Sequence, residues 1–162
     1  LMEHTSHLTD MYIGIARGTA VFGPHDNFNT ETCHVIPALI KRILSGEDPL
    51  VVWGSPDVVR DFLYIKDFAK GALLVLENGE SMRPYNVGYG STINIGQIVN
   101  MILKVTGKTP EVKWDNSKPN GQPRRCVSNV RARELLGFQP ETKIREGLKE
   151  TITWFMKQQQ NS

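Results

Sequence analysis

The sequence predicts an α/β fold in which a small mixed sheet is layered with helices. Three observations carry that expectation. Short apolar runs bounded by Gly, Pro and Asn alternate with longer segments whose apolar residues recur every three to four positions. Of the 162 residues, 40% are hydrophobic, enough for a buried core. The strand candidates are short and few, so the sheet is smaller than a complete doubly wound one.

Taken in order, residues 1–10 are polar and read as the tail of a helix. Tyr12 to Val21 is apolar and reads as a buried strand that stops at Gly23-Pro24. Residues 24–33 form a polar loop. His34 to Gly46 is a helix, because Ile36, Leu39, Ile40 and Ile43 share one face. Pro37 suits its first turn and Gly46 its C-terminal cap. Pro49 to Trp53 is a strand, Gly54 to Asp57 a turn, and Arg60 to Ile65 is extended. Asp67 is placed to cap a helix that runs to Glu77 and closes at Asn78-Gly79. Pro84 to Gly88 is a further strand. Asn94 and Gln97 have the spacing of a capping box ahead of the stripe Ile95, Ile98, Ile102 and Val105. Residues 110–115 read as an edge strand, and Asn129 to Leu136 as a short helix ended by Gly137. Ile144, Leu148, Ile152 and Phe155 stripe the last helix, and Lys157 to Ser162 is a polar, fraying tail.

Nineteen Lys and Arg against 17 Asp and Glu leave a net charge of +2. That balance argues against nucleic acid and against an anionic membrane surface as partners. No apolar run approaches the roughly 18 residues of a transmembrane helix. Two cysteines, Cys33 and Cys126, make no disulfide framework, which points to a reducing, cytoplasmic compartment. The length suits one domain. Because the chain opens on what reads as the end of a helix, the expectation is a piece of a longer protein.

Several motifs fail their own requirements. Asn86 to Gly96 has the outline of a dinucleotide turn with Gly88-x-Gly90, but the third glycine position holds Ile93. A tight turn is the better reading. His4 and His7 have no third ligand nearby, so no metal site is expected. No Tyr is followed four residues later by Lys, so hydride transfer of the Tyr-x-x-x-Lys type is not encoded in these residues.

Other segments carry more. His34 stands where a helix begins, and the partial positive charge there disfavours imidazolium. A neutral imidazole at a pocket wall shuttles protons, whereas a satisfied structural histidine is the plainer alternative. Trp53-Gly54 followed by Arg60-Asp61-Phe62 sets an aromatic and a guanidinium on two sides of one turn. Arg grips phosphate bidentately, and an Arg60–Asp61 ion pair is the alternative. Lys118-Pro-Asn-Gly-Gln-Pro-Arg-Arg125 is a rigid basic loop that suits a diphosphate or simply faces solvent.

In their order, these residues resemble the C-terminal half of the extended short-chain dehydrogenases/reductases that modify nucleotide sugars, within the wider NAD(P)-dependent epimerase/dehydratase family. The resemblance runs through Gly23-Pro24-His25-Asp26-Asn27-Phe28, His34-Val35-Ile36-Pro37, Val52-Trp53-Gly54, Arg60-Asp61-Phe62, Asn86-Val87-Gly88, Lys118-Pro119-Asn120-Gly121 and Leu136-Gly137-Phe138. The first two motifs together most resemble the branch that epimerises a GDP-4-keto-6-deoxy sugar and reduces it with NADPH.

The resemblance implies residues 1–23 as the end of the cofactor-binding Rossmann portion and 24–162 as the nucleotide-sugar-binding portion. It implies His34 as a proton donor in epimerisation. Arg60 and Arg42 would contact the diphosphate, and Trp53, Lys118 and Arg125 would be further walls of the pocket. Gly18 and Ala20 lie by position at the cofactor, where the usual Arg-Pro-x-Asn-x-Tyr-Gly has Pro and Asn. NADP(H) would be bound mainly by a preceding half, which would also hold the glycine-rich fingerprint, the Ser-Tyr-Lys set and the branch's cysteine. Cys33 does not match that cysteine. These residues alone would therefore be inactive and would leave apolar surface exposed. The full protein would be a homodimer. UDP-sugar 4-epimerases and GDP-mannose 4,6-dehydratases are the alternative enzymes, and a non-catalytic nucleotide-binding regulator is the alternative of another class.

Overall fold

The computed structural model describes residues 11–118 and 121–160. The expected N-terminal helix tail, with His4 and His7, and the last two residues lie outside them. The chain runs β1 (Ile15–Gly18), β2 (Ala20–Phe22), α1 (Val35–Leu44), β3 (Leu50–Trp53), β4 (Val59–Arg60) and β5 (Phe62–Tyr64). It continues through α2 (Ile65–Asn78), β6 (Pro84–Val87), β7 (Ile93–Asn94), α3 (Ile95–Thr106), β8 (Val112–Asp115) and β9 (Arg124–Arg125). Two helices, α4 (Val130–Leu136) and α5 (Ile144–Gln160), complete it.

The α/β class is as expected, but the strands of the described residues divide into four small sheets. Three are parallel pairs, β1–β6, β2–β5 and β3–β8. The fourth has the order β7–β4–β9, antiparallel on one side of β4 and parallel on the other. The apolar run from Tyr12 to Val21 is thus not one buried strand. It breaks at Thr19, where the Val21 N–H closes a three-residue turn onto the Thr19 carbonyl at 3.1 Å. Before the break the chain pairs with β6; after it, with β5. Arg17 and Gly18 are exposed, so apolar character upstream did not mean burial throughout.

Helix stripes pack as their spacing requires. Ile36, Leu39, Ile40 and Ile43 of α1 are no more than 2% exposed and meet Ile98 and Ile102 of α3 and Leu148 and Ile152 of α5 in one core. A second cluster under α2 and α4 gathers Leu63, Val75, Tyr85, Val87 and Phe138. The α3 capping box forms: Asn94 accepts from the Gln97 N–H at 2.7 Å, and the Gln97 side chain accepts from the Asn94 N–H at 3.2 Å. Gly137 ends α4 in the left-handed region, φ 66°, as a C-terminal glycine should.

Two expectations change. Asp67 does not cap α2, because the helix starts at Ile65 with Tyr64 in the cap position. Instead the buried Asp67 carboxylate accepts the Thr142 N–H at 2.9 Å and ties α2 to the approach of α5. Gly79 closes α2 in extended conformation, with its N–H on the Val75 carbonyl. Arg124-Arg125, read as surface loop, adds to the sheet as β9. Leu73 and Leu76 of α2 are 56% and 59% exposed.

Candidate nucleotide-sugar site

A cavity of about 500 Å³ opens between β1–β2, the start of α1, β4–β5 and the segment Arg125–Val127. It draws together five of the eight residues singled out from the sequence: Gly18, Ala20, His34, Arg60 and Arg125. One wall is apolar, with Val21, Phe22, Ile36, Pro37 and Phe62.

Arg60 and Arg125 arrive side by side because β4 and β9 pair in register. The Arg60 Nη1 donates to its neighbours' carbonyls, Val59 at 2.8 Å and Gln122 at 2.7 Å. Burial, and then the charge of Arg125, lower the Arg60 pKa below the ordinary arginine value. It stays charged at neutral pH all the same. Among the described residues no carboxylate forms a salt bridge with either guanidinium. Two adjacent cations, Arg60 partly buried and Arg125 exposed, favour a bound oxyanion.

The alternative reading of Arg60, an ion pair with Asp61, is not what the structure shows. Asp61 is 2% exposed and turns the other way, accepting the Tyr89 N–H at 2.9 Å and the Gly90 N–H at 3.1 Å. The Gly88-x-Gly90 turn therefore faces this chain's own carboxylate. Its Tyr89 and Gly90 N–H groups are occupied, so this turn offers no pyrophosphate cradle.

His34 caps α1 by position, with extended backbone and no capping hydrogen bond from its side chain. Its ring is exposed on the cavity wall, where a ligand can reach it. Ala20 contributes a methyl group where an amide would have given a hydrogen-bonding group.

Three residues are not brought to the cavity. Arg42, in the last turn of α1, is committed elsewhere: its Nε is 2.7 Å from Glu47 Oε2 and its Nη2 is 2.6 Å from the Val51 carbonyl. A second contact to Glu47 completes a bidentate pair. The Arg42 hydrogen bond accordingly lowers the Glu47 pKa. Arg42 thus fastens α1 to β3. Trp53 is 69% exposed, and the Lys118 ammonium sits 5.6 Å from its ring centroid, outside the cavity lining. The Gly23–Phe28 motif is structural on this geometry. His25, at φ 66°, lays its ring 4.7 Å from Trp154, and Phe28 stacks on Phe155 at 4.2 Å.

Sequence reasoning missed Thr19, Asp61, Cys126 and Val127 as cavity residues. Nothing in their local pattern marks them; they are assembled by long-range pairing. No group of three or more His, Cys, Asp or Glu among the described residues is arranged for a metal. No helix among them is long and apolar enough to cross a membrane.

Comparison with known proteins places the fold and the family. The chain is 34% identical over 145 residues to the probable GDP-L-fucose synthase 1 of Oryza sativa, covering 87% of this chain and 44% of the relative. It superposes on the GDP-L-fucose synthetase of Naegleria fowleri with a TM-score of 0.86 and 31% identity, covering 99% of this chain and 51% of that one. The UDP-glucose 4-epimerase of Thermotoga maritima, solved with UDP-glucose, also gives 0.86, at 26% identity, covering 98% and 50%. The chain thus spans about half the length of the relatives it matches. Residues 1–88 match the family model described as the NAD dependent epimerase/dehydratase family, and with the fold shared along nearly the whole chain, the chain belongs to that family.

Proposed function

We propose that this chain is the nucleotide-sugar-binding portion of an NADP-dependent epimerase/reductase that makes GDP-L-fucose from GDP-4-keto-6-deoxy-D-mannose. The observation that carries the reading is the convergence of Arg60, Arg125 and His34 on one cavity with an apolar wall. The guanidinium pair holds the diphosphate, and the apolar wall takes the deoxy end of the sugar. A C4 ketone acidifies the C–H bonds at C3 and C5, because the carbanion delocalises as an enolate. Inversion needs a base on one face and an acid on the other, and His34 returns the proton. Residues 1–23 belong on this reading to the cofactor fold and 24–162 to the sugar site. Arg42 drops out as a diphosphate contact. Trp53 and Lys118 stand beyond the cavity as an outer wall.

The cofactor would be held largely by residues other than these, as Gly18 and Ala20 are the only cavity positions assigned to it. The Naegleria relative has been solved with NADP. The unpaired Cys33 and Cys126 suit a reducing cytoplasm, and a homodimer is the assembly expected of the full protein.

A second reading, a UDP-sugar 4-epimerase, is favoured by the equal overlap with the Thermotoga enzyme. A third, a non-catalytic nucleotide-binding regulator, is motivated by Ala20. Calorimetric titration with GDP and with UDP separates the first two: tighter GDP binding supports the synthase reading, tighter UDP binding the epimerase. Consumption of NADPH with the 4-keto sugar by the full protein would exclude the third. These 162 residues alone should consume none.

A further inference from the structure

The turn from Asn86 to Gly90 fails as a dinucleotide fingerprint, yet it is built with unusual economy of space. A Cβ at Gly88 would drive into the Thr19 side chain and stand 2.6 Å from Val127 and 3.0 Å from Asp61 Oδ2. Gly90 sits at φ 81°, and a Cβ there would meet the Asn129 amide at 2.7 Å. Asn129 in turn donates to the Gly88 carbonyl at 2.9 Å. The turn is thus pressed against the back of the cavity, and Thr19, Asp61 and Val127, which crowd Gly88, all line it.

Asp61 is the centre of this packing. Its carboxylate accepts the two N–H groups of the turn and lies 3.4 Å from the Thr19 hydroxyl, which also bonds the Asp61 carbonyl. The Cys126 thiol points at Oδ2 from 3.8 Å. Along the backbone, the Ala20 N–H donates to the Asp61 carbonyl at 3.2 Å, and the Asp61 N–H donates to the Arg125 carbonyl at 3.1 Å. One residue therefore joins β2, the turn after β6, and the strand carrying Arg125. It sits next in sequence to Arg60.

We infer that Asp61 is the positioning residue of the anion-binding corner: held by the Tyr89 and Gly90 N–H groups, it sets the separation and direction of Arg60 and Arg125. This rests on the reading of that corner as the diphosphate site. With its carboxylate fixed by the turn, Asp61 keeps its own N–H on the Arg125 carbonyl, and that bond holds Arg60 and Arg125 in strand register.

The test compares Asp61→Asn and Gly88→Ala with Ile152→Val, a remote core control, in the full protein. Two readouts are followed. The first is GDP affinity. Loss of the clamp should weaken it at least about tenfold at temperatures where every variant is folded, the scale of a charged hydrogen bond. Ile152→Val should lower thermal stability and leave affinity unchanged.

The second readout needs no nucleotide: the pH profile of Cys126 alkylation, resolved from Cys33 by mass spectrometry. Burial and then the Asp61 charge raise the Cys126 pKa, and Arg124 opposes them. Asp61→Asn removes the negative charge, so its profile should move to lower pH. Variants that lose only thermal stability, with affinity and alkylation profile unmoved, would reduce Asp61 to a packing residue and overturn the inference. A profile shifted in Asp61→Asn, together with a wild-type protein that binds no GDP, would keep the clamp and overturn the diphosphate reading.

Discussion

On the proposed function, Arg60 and His34 divide the work at the site by their chemistry. Arg60 lies half-buried beside a second cation, so an anion there replaces repulsion with two charge-assisted contacts. Arg60→Ala should weaken GDP binding by about 1.5–3 kcal/mol, read by calorimetry; an unchanged dissociation constant would make the residue a strand filler. His34 touches neither guanidinium in any bond and stands exposed on the wall. His34→Gln in the full protein should slow epimerisation and leave nucleotide-sugar affinity near wild type. Proton exchange at C3 and C5, followed by NMR, measures the first, and unchanged exchange would remove the proton-donor role. Both residues were legible in the sequence, because residue type and motif order mark them. An ion pair between Arg60 and Asp61 was the alternative reading, and the structure does not bear it out. Adjacent residues on an extended chain face opposite sides, so sequence proximity of Arg60 and Asp61 told against a pair rather than for it.

At the level of elements, local chemistry decided what local chemistry could. The α3 capping box, the α1 stripe and the Gly137 stop are all set by contacts within a few residues. Asn94→Ala removes an acceptor that satisfies the first-turn N–H of Gln97. It should cost about 1 kcal/mol in urea unfolding, with restoration by Asn94→Ser. The misplaced cap on α2 shows the limit. Asp67 has the right side chain, but Tyr64 is already at the end of β5 and turns directly into the helix. Asp67 is then free to satisfy a backbone group 75 residues away. β9 was likewise missed, since a two-residue basic strand has no period of its own and exists through its partner β4.

Across the whole molecule, polar ties join elements that are distant in sequence. The Tyr64 hydroxyl donates to Glu150 at 2.6 Å and Lys66 reaches the same oxygen at 2.8 Å, linking α5 to β5 and α2. The Lys66 and then the Tyr64 hydrogen bonds lower the Glu150 pKa; Arg42 does the same for Glu47. A carboxylate with a depressed folded-state pKa stabilises the fold above its unfolded value, about 4.3, and loses that contribution as pH falls through the folded value. Melting temperature should therefore drop as pH is lowered from about 5 into the range below 4. Glu150→Gln should flatten part of that slope, a comparison calorimetry makes directly. An unaltered slope would assign the acid sensitivity to other carboxylates. Both pairs are partly exposed, so salt should reduce the effect.

By itself the sequence determined the α/β class, the helix faces, most of the stops and the identity of the cavity's His34, Arg60 and Arg125. The fold features follow from side-chain period and backbone freedom, which are written locally, and the three site residues from the order of motifs that carries the family resemblance. Only the tertiary structure decided that Thr19 breaks a strand, that Arg42 is bound to Glu47, and that Trp53 and Lys118 stand outside the cavity. It alone placed Asp61 in the grip of a glycine turn. Each of these depends on which segments meet across the chain, 5 residues apart for Arg42–Glu47 and 42 for Thr19–Asp61. Such meetings are settled by burial and strand pairing, for which neighbouring residues carry no signal.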